Sequence, residues 1–199
     1  MLEQPKAQAF CPAGARGYSL VEVLVTFVIL AIGLLGLAQL NAQMHQSEME
    51  SYQQSQAVLL AQDIASRIQV AGYLNSGTYV TGTSSPLGTG DAQPASCTGT
   101  GATYDLCVWS NALKGAAEVN AGSKVGAMIG ARGCVEQTQA PNSTTGACAA
   151  GIYRVTVVWQ GLTKTAAPDA AVVCGQNLYG TEAQRRAVST WVTVGTPAC

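Results

Sequence analysis

Residues 15–40 read ARGYSLVEVLVTFVILAIGLLGLAQL, and from Val23 to Leu40 there is no charge. About 17–25 apolar residues cross a bilayer as a helix. Gly33 and Gly36 are tolerated there, since glycine is commoner in membrane helices than in soluble ones. Lys6 and Arg16 precede the run, and Glu3 is the sole acid of residues 1–17. Basic residues stay cytoplasmic, so the N-terminus is expected inside and the remainder outside. The run ends Leu37-Ala38-Gln39-Leu40-Asn41-Ala42. That is a weak substrate for secretory cleavage, which wants a small-x-small site just past the apolar stretch. An ordinary signal anchor fits the hydropathy but leaves Glu22 unexplained. An acid inside a membrane segment costs about 3 kcal/mol at the centre, less near the end, and usually marks function.

The order Arg16-Gly17-Tyr18-Ser19-Leu20-Val21-Glu22-Val23-Leu24-Val25 resembles the class III signal of type IV prepilins. It has the basic leader, the Gly, an aromatic, a small hydroxyl residue, two aliphatics, a Glu and then the apolar run. The resemblance covers residues 14–40. It implies that a membrane aspartyl prepilin peptidase cuts after Gly17 and methylates the new N-terminus, Tyr18. It implies that Glu22, the fifth mature residue, pairs with the N-terminal amine of a neighbouring subunit and sets the stagger of the fibre. Physical chemistry supports that role, since an amine and a carboxylate in a low-dielectric place are each costly alone and cheaper together.

Past the apolar run there is no glycine between Leu40 and Gly72, and no proline between Pro12 and Pro86. Asn41–Ala71 is rich in Gln, Ala, Met, Leu and Glu, which favour helix. Ala57, Leu60, Ala61, Ile64, Ile68 and Ala71 recur at steps of 3 and 4 and predict one apolar stripe. Gly72 sits where a helix end is expected, and Asn75-Ser76-Gly77 reads as a turn. Two readings stay open. One is a single helix, half in the membrane and half packed on a domain, as in pilins. The other breaks near Asn41 into two helices. Many major pilins carry a proline that would fall near Gln39, so its absence argues mildly against a major subunit.

Residues 75–101 are rich in Gly, Ser and Thr and read as a long surface loop. Beyond it, Tyr104–Ser110, Ile152–Gln160, Ala170–Cys174 and Ala187–Val194 are candidate strands. The best is Ile152–Gln160, with Tyr153, Val155, Val157 and Trp159 on one face. A helix followed by antiparallel strands gives an α+β class. The expected organisation is pilin-like: leader 1–17, transmembrane half-helix 18–41, amphipathic half-helix 42–73, and a disulfide-stapled domain 74–199. Within Gly151–Gly161, with Cys174-Gly175 and Arg185-Arg186, the chain resembles the PilV-type minor pilins.

Seven cysteines stand at 11, 97, 107, 134, 148, 174 and 199, with one histidine in the chain. None forms Cys-x-x-Cys, so the clustered ligands of a zinc site are not expected. Charged residues are 11%, against about 25% in ordinary soluble domains. That low charge and the cysteines suit an exported, oxidising setting. Loss of Cys11 with a leader leaves an even set. Sequence alone does not choose among the pairings; nearest-neighbour stapling gives Cys97–Cys107, Cys134–Cys148 and Cys174–Cys199.

No enzyme is expected. His45 lies on the helix, away from any nucleophile that would need a base. Asp63, Asp91, Asp105 and Asp169 are scattered, and no phosphate loop or dinucleotide fingerprint appears. Asn142-Ser143-Thr144 fits a glycosylation sequon and reads as plain loop. The net charge is −1, and Arg185-Arg186 with Lys164 and Trp191 is too thin a surface for nucleic acid. No cofactor is expected. The resemblance implies a minor pilin that starts or caps pilus assembly, with twitching, adhesion or DNA uptake following indirectly. Its partners would be the prepilin peptidase, the other minor pilins and the major pilin, first in the inner membrane with a periplasmic domain and then at the pilus or cell surface. A type II secretion minor pseudopilin or a competence-type pilin would share the same N-terminus.

Overall fold

The computed structural model describes residues 17–115, 119–120, 123–124, 126 and 128–196. The chain divides into two compact units, with the boundary between Met44 and His45. One helix, α1 (Leu20–Asn75), belongs to both and passes Asn41 without a break. Its only non-helical residue is Gly72, at φ 71° and ψ 179°. That left-handed φ is available to glycine at little cost and ends the regular helix there.

In the first unit every described residue is exposed. In the second, α1 buries Gln53, Ala57, Ala61, Ile64 and Ile68. These follow the expected stripe, with Leu60 and Ala71 half-buried at its edges. Full burial of an Ile contributes about 1.5–3 kcal/mol. The stripe lies on a four-stranded antiparallel sheet, so the fold is α+β and pilin-like.

After α1 come a single 3-10 turn (Ser76–Tyr79), strand β1 (Leu87–Gly88) and helix α2 (Gly101–Leu113). A small hairpin follows, β2 (Val119–Asn120) with β3 (Ser123–Lys124). The three long strands are β4 (Ile129–Gln139), β5 (Gly151–Gln160) and β6 (Arg185–Val194). The sheet order is β1-β4-β5-β6. Central β5 is covered on both faces. Tyr153, Val155, Val157 and Trp159 join the α1 stripe with Trp109 and Leu113 of α2. On the opposite face Val158 packs with Cys134, Cys174 and Tyr179.

Two expected strands are corrected. Tyr104–Ser110 lies within α2. Ala102, Leu106, Trp109 and Leu113 all pack in the core, and their steps of 4, 3 and 4 are helical. Ala170–Cys174 is a series of turns. Asp169 accepts the Ala171 N–H on its side chain at 2.8 Å and the Val172 N–H on its carbonyl at 2.9 Å, so local bonding replaces a ladder. Strand β4 had no expectation, because IGARGCVEQTQ alternates poorly and contains two glycines.

The disulfide pairing is also corrected. Cys97 and Cys107 are bonded, with Cα atoms 5.7 Å apart. Cys134, however, is bonded to Cys174, at 6.0 Å between Cα atoms, and to neither nearest neighbour. Cys134 pairs in register with Thr156, on the face covered by the chain that carries Cys174. Cys148 lies past the hairpin end of β4, and Cys134 is five residues back from Gln139, about 17 Å along a strand. Cys148 is itself disulfide-bonded. Cys199, expected to pair with Cys174, and Cys11 lie outside the described residues.

Candidate membrane and assembly segment

Gly17, Tyr18 and Ser19 lead directly into α1. Tyr18 is 83% exposed, and the Val23 N–H donates to the Ser19 carbonyl at 3.3 Å, closing the first turn. Glu22 is the acid of that turn. No ion pair links it to any other described residue. Thr26, the other polar residue of the early helix, returns its hydroxyl to the Val23 carbonyl at 2.8 Å. That internal bond removes the cost of carrying a hydroxyl into hydrocarbon.

From Leu20 to Leu40 the apolar side chains are bare on every side of the helix. Leu20, Phe27, Ile32, Leu35 and Leu40 are all exposed. None of the apolar window is buried by the chain itself, and the helix is long and apolar enough to cross a membrane. A helix that is hydrophobic all round must be covered by lipid or by other helices. The one acid in this stretch sits within four residues of the Gly17–Tyr18 junction.

Residues 13–38 match the prokaryotic N-terminal methylation motif. The match supports a type IV pilin-like protein. No curated protein and no solved structure matches the chain. The motif implies processing by a prepilin peptidase and assembly with other pilins. It points to a structural subunit rather than an enzyme. Motif and apolar helix together are consistent with a membrane-anchored pilin.

The polar residues weighed for other chemistry have structural partners in the domain. His45 is exposed and meets only Glu48 on its own helix, at 3.3 Å. Asp63 and Asp105 hold Arg67, the latter at 2.7 Å. Tyr79 also donates to Asp105 at 2.5 Å. Burial, then that bond and the Asp105 charge, push the Tyr79 phenol up to about 12. Arg185 is almost wholly buried and pairs with Glu182 at 2.5 Å. It also donates to the carbonyls of Val172 and Cys174 at 2.8 and 3.1 Å. Arg186 reaches Glu50 on α1 at 3.3 Å. The Arg185-Arg186 pair is thus turned inward. Among the described residues no cluster of three potential ligands could hold a metal ion. Asn142 uses its own side-chain oxygen to accept the Thr144 N–H at 2.9 Å.

Sequence reading gave no role to Arg154, which organises the outer face. It donates twice to Glu136, at 2.9 and 3.0 Å, and once to the Ala171 carbonyl at 2.9 Å. Its guanidinium carbon lies 5.8 Å from the centre of the exposed Trp191 ring. Glu136, Arg154 and Trp191 are successive register partners across β4, β5 and β6. Only the strand pairing brings them into one row.

Proposed function

We propose that the chain is a minor pilin of a type IV pilus, of the PilV type, that helps to start or cap the fibre. The observation that carries this reading is Glu22. It is the acid in the first turn of α1, at the head of an exposed stretch that carries no other charge as far as Leu40, inside a methylation motif and four residues after Tyr18.

In this reading the leader, 1–17, is cut after Gly17 and the Tyr18 amine is methylated. Residues 18–41 sit in the inner membrane as a single span. Residues 42–73 continue the helix as its amphipathic half, and 74–199 form the periplasmic domain until assembly carries it into the pilus. Glu22 takes the Tyr18 amine of a neighbouring subunit as its partner and so fixes register. An unpaired buried charge costs several kcal/mol, and the pair offsets this. The lack of a proline near Gln39 favours a minor subunit over a major one. The resemblance within Gly151–Gly161 favours the PilV type.

Intact-mass and N-terminal analysis test the reading directly. The mature chain is expected to start at a methylated Tyr18; a start near Asn41 would replace the pilin reading with an ordinary signal peptide. Glu22→Val should leave membrane insertion intact, because it removes a charge from the apolar segment. It should deplete the protein from sheared pili and from co-purified minor pilins. Normal incorporation of that variant would remove Glu22 as the register residue. A minor pseudopilin or competence-type pilin carries the same signal. Disruption should therefore cost surface pili; loss of protein secretion with normal piliation would assign the chain to a type II secretion system.

A further inference from the structure

A cleft of about 600 Å³ opens beside β1, where Ser84, Ser85, Thr89, Gln93 and Arg132 share the lining with apolar residues such as Leu178. Arg132 stands apart electrostatically. Arg67, Arg154, Arg185 and Arg186 each hold a carboxylate, whereas Arg132 has no acidic partner among the described residues.

It is nevertheless held in place. Its Nη1 donates to the Gly130 carbonyl at 3.2 Å. Its guanidinium carbon lies 5.3 Å from the centre of the Tyr179 ring. Tyr179 is anchored in turn, donating its hydroxyl to the carbonyls of Gly130 and Val158 at 2.9 and 3.2 Å. That leaves Nη2 beside Gly90, whose Cβ position would lie 3.8 Å from it. The Gly90 N–H has no acceptor among the described residues.

Asp91 also lines this cleft, but its charge is engaged from the other side. It accepts the Ser110 hydroxyl at 2.6 Å and the N–H groups of Gly88 and Gln93 at 2.8 and 3.1 Å. It also pairs with the Lys114 ammonium. With Asp91 neutralised by Lys114, the cleft keeps one uncompensated positive charge on a pre-oriented fork of donors.

We propose that this cleft binds a small oxyanion, a phosphate or a carboxylate, through the Arg132 guanidinium, with the Gly90 amide and the Thr89 hydroxyl as further donors. A guanidinium matches the geometry of both anions, and one already fixed by a ring and a carbonyl loses less freedom on binding than a solvated side chain. The site is independent of how the N-terminus is processed, so its test leaves the pilin reading untouched.

The test is an amide NMR titration of the mature full-length chain in detergent micelles. Inorganic phosphate, acetate and sodium chloride are compared at matched ionic strength. Saturable shifts at Gly90, Thr89 and the Arg132 side chain are expected with phosphate or acetate but not with chloride. Whichever saturates at the lower concentration names the anion. Arg132→Gln should weaken binding about tenfold or more, and Arg132→Lys, which keeps charge without the fork, should weaken it less. Thr89→Val offers a milder second variant, and the unshifted amides elsewhere report that each variant is folded. A non-saturating drift shared with chloride, or an unchanged titration in Arg132→Gln, would overturn the proposal.

Discussion

The indole N–H of Trp159 donates to the side-chain oxygen of Gln53 at 3.1 Å, joining the end of β5 to α1 across a buried contact. Both residues are almost fully buried. A polar helix residue in an apolar stripe is thereby explained: it supplies the acceptor that a buried indole needs.

Gln53→Leu should therefore destabilise the domain by about 1–3 kcal/mol, the cost of leaving a buried donor unmade. Denaturant melts of Gln53→Leu, Trp159→Phe and the double variant check this. The double variant should cost clearly less than the sum of the singles. Strict additivity would mean that the contact carries no energy.

Gly133 sits directly beneath Trp109. A Cβ on Gly133 would lie 2.7 Å from Cζ2 and 2.9 Å from Cζ3 of that ring. Trp109 cannot tilt freely, because its N–H donates to the Leu60 carbonyl of α1 at 2.8 Å. Gly133→Ala should cost about 1–3 kcal/mol through overpacking, read as a fall of several degrees in the melting temperature. An unchanged melt would show that α2 can move aside.

Removing the Cys134–Cys174 bridge, with both residues changed to alanine, should cost about 2–4 kcal/mol by freeing a long loop in the unfolded chain. Non-reducing peptide mapping should recover this pair and Cys97–Cys107. Under the proposed cut after Gly17, Cys11 is lost, and Cys148 should be found on a peptide linked to Cys199. A Cys134–Cys148 peptide would contradict the fold itself.

Asp91 sets an acid limit. Burial pushes its carboxyl up, but the bonds from Lys114, Ser110, Gly88 and Gln93 outweigh this and hold it below the ordinary 3.8. An acid held below its unfolded value stabilises the fold above that value. The contribution is lost as pH falls from about 4 through the folded value. Melting temperatures should drop over this range in the wild type, and Asp91→Asn should flatten that part of the profile. An identical acid slope in Asp91→Asn would place the limit elsewhere.

The long elements were legible because they repeat one local signal. The Ala57–Ile68 stripe and the alternation from Tyr153 to Trp159 each state a period several times over. Strand β4 was not legible. Its glycine at 133 is required by Trp109, a residue distant in sequence, and glycine weakens the period that would announce a strand. Cys134 could not be assigned for a related reason. Its partner is chosen by which chain covers the outer face of β5, and that is decided by tertiary packing. At the candidate site the balance reverses. Gly17, Tyr18 and Glu22 fall within six residues of sequence, so their order was readable at once, whereas Arg132 owes its position to the distant Tyr179 and to the Gly130 carbonyl.

The domain-bound part of α1 is tied to the rest of its unit at four polar points. Glu50 accepts the Thr163 hydroxyl at 2.8 Å, Gln53 meets Trp159, the Leu60 carbonyl meets Trp109, and Arg67 meets Asp105. From Glu50 to Arg67 these span about 26 Å at ~1.5 Å per residue. Mechanically they lie in parallel along the helix axis. Tension applied along that axis loads all four in shear at once, so the helix cannot be peeled away one bond at a time. A spaced set of ties of this kind fails at a higher force than the same bonds opened in sequence, and it fails together.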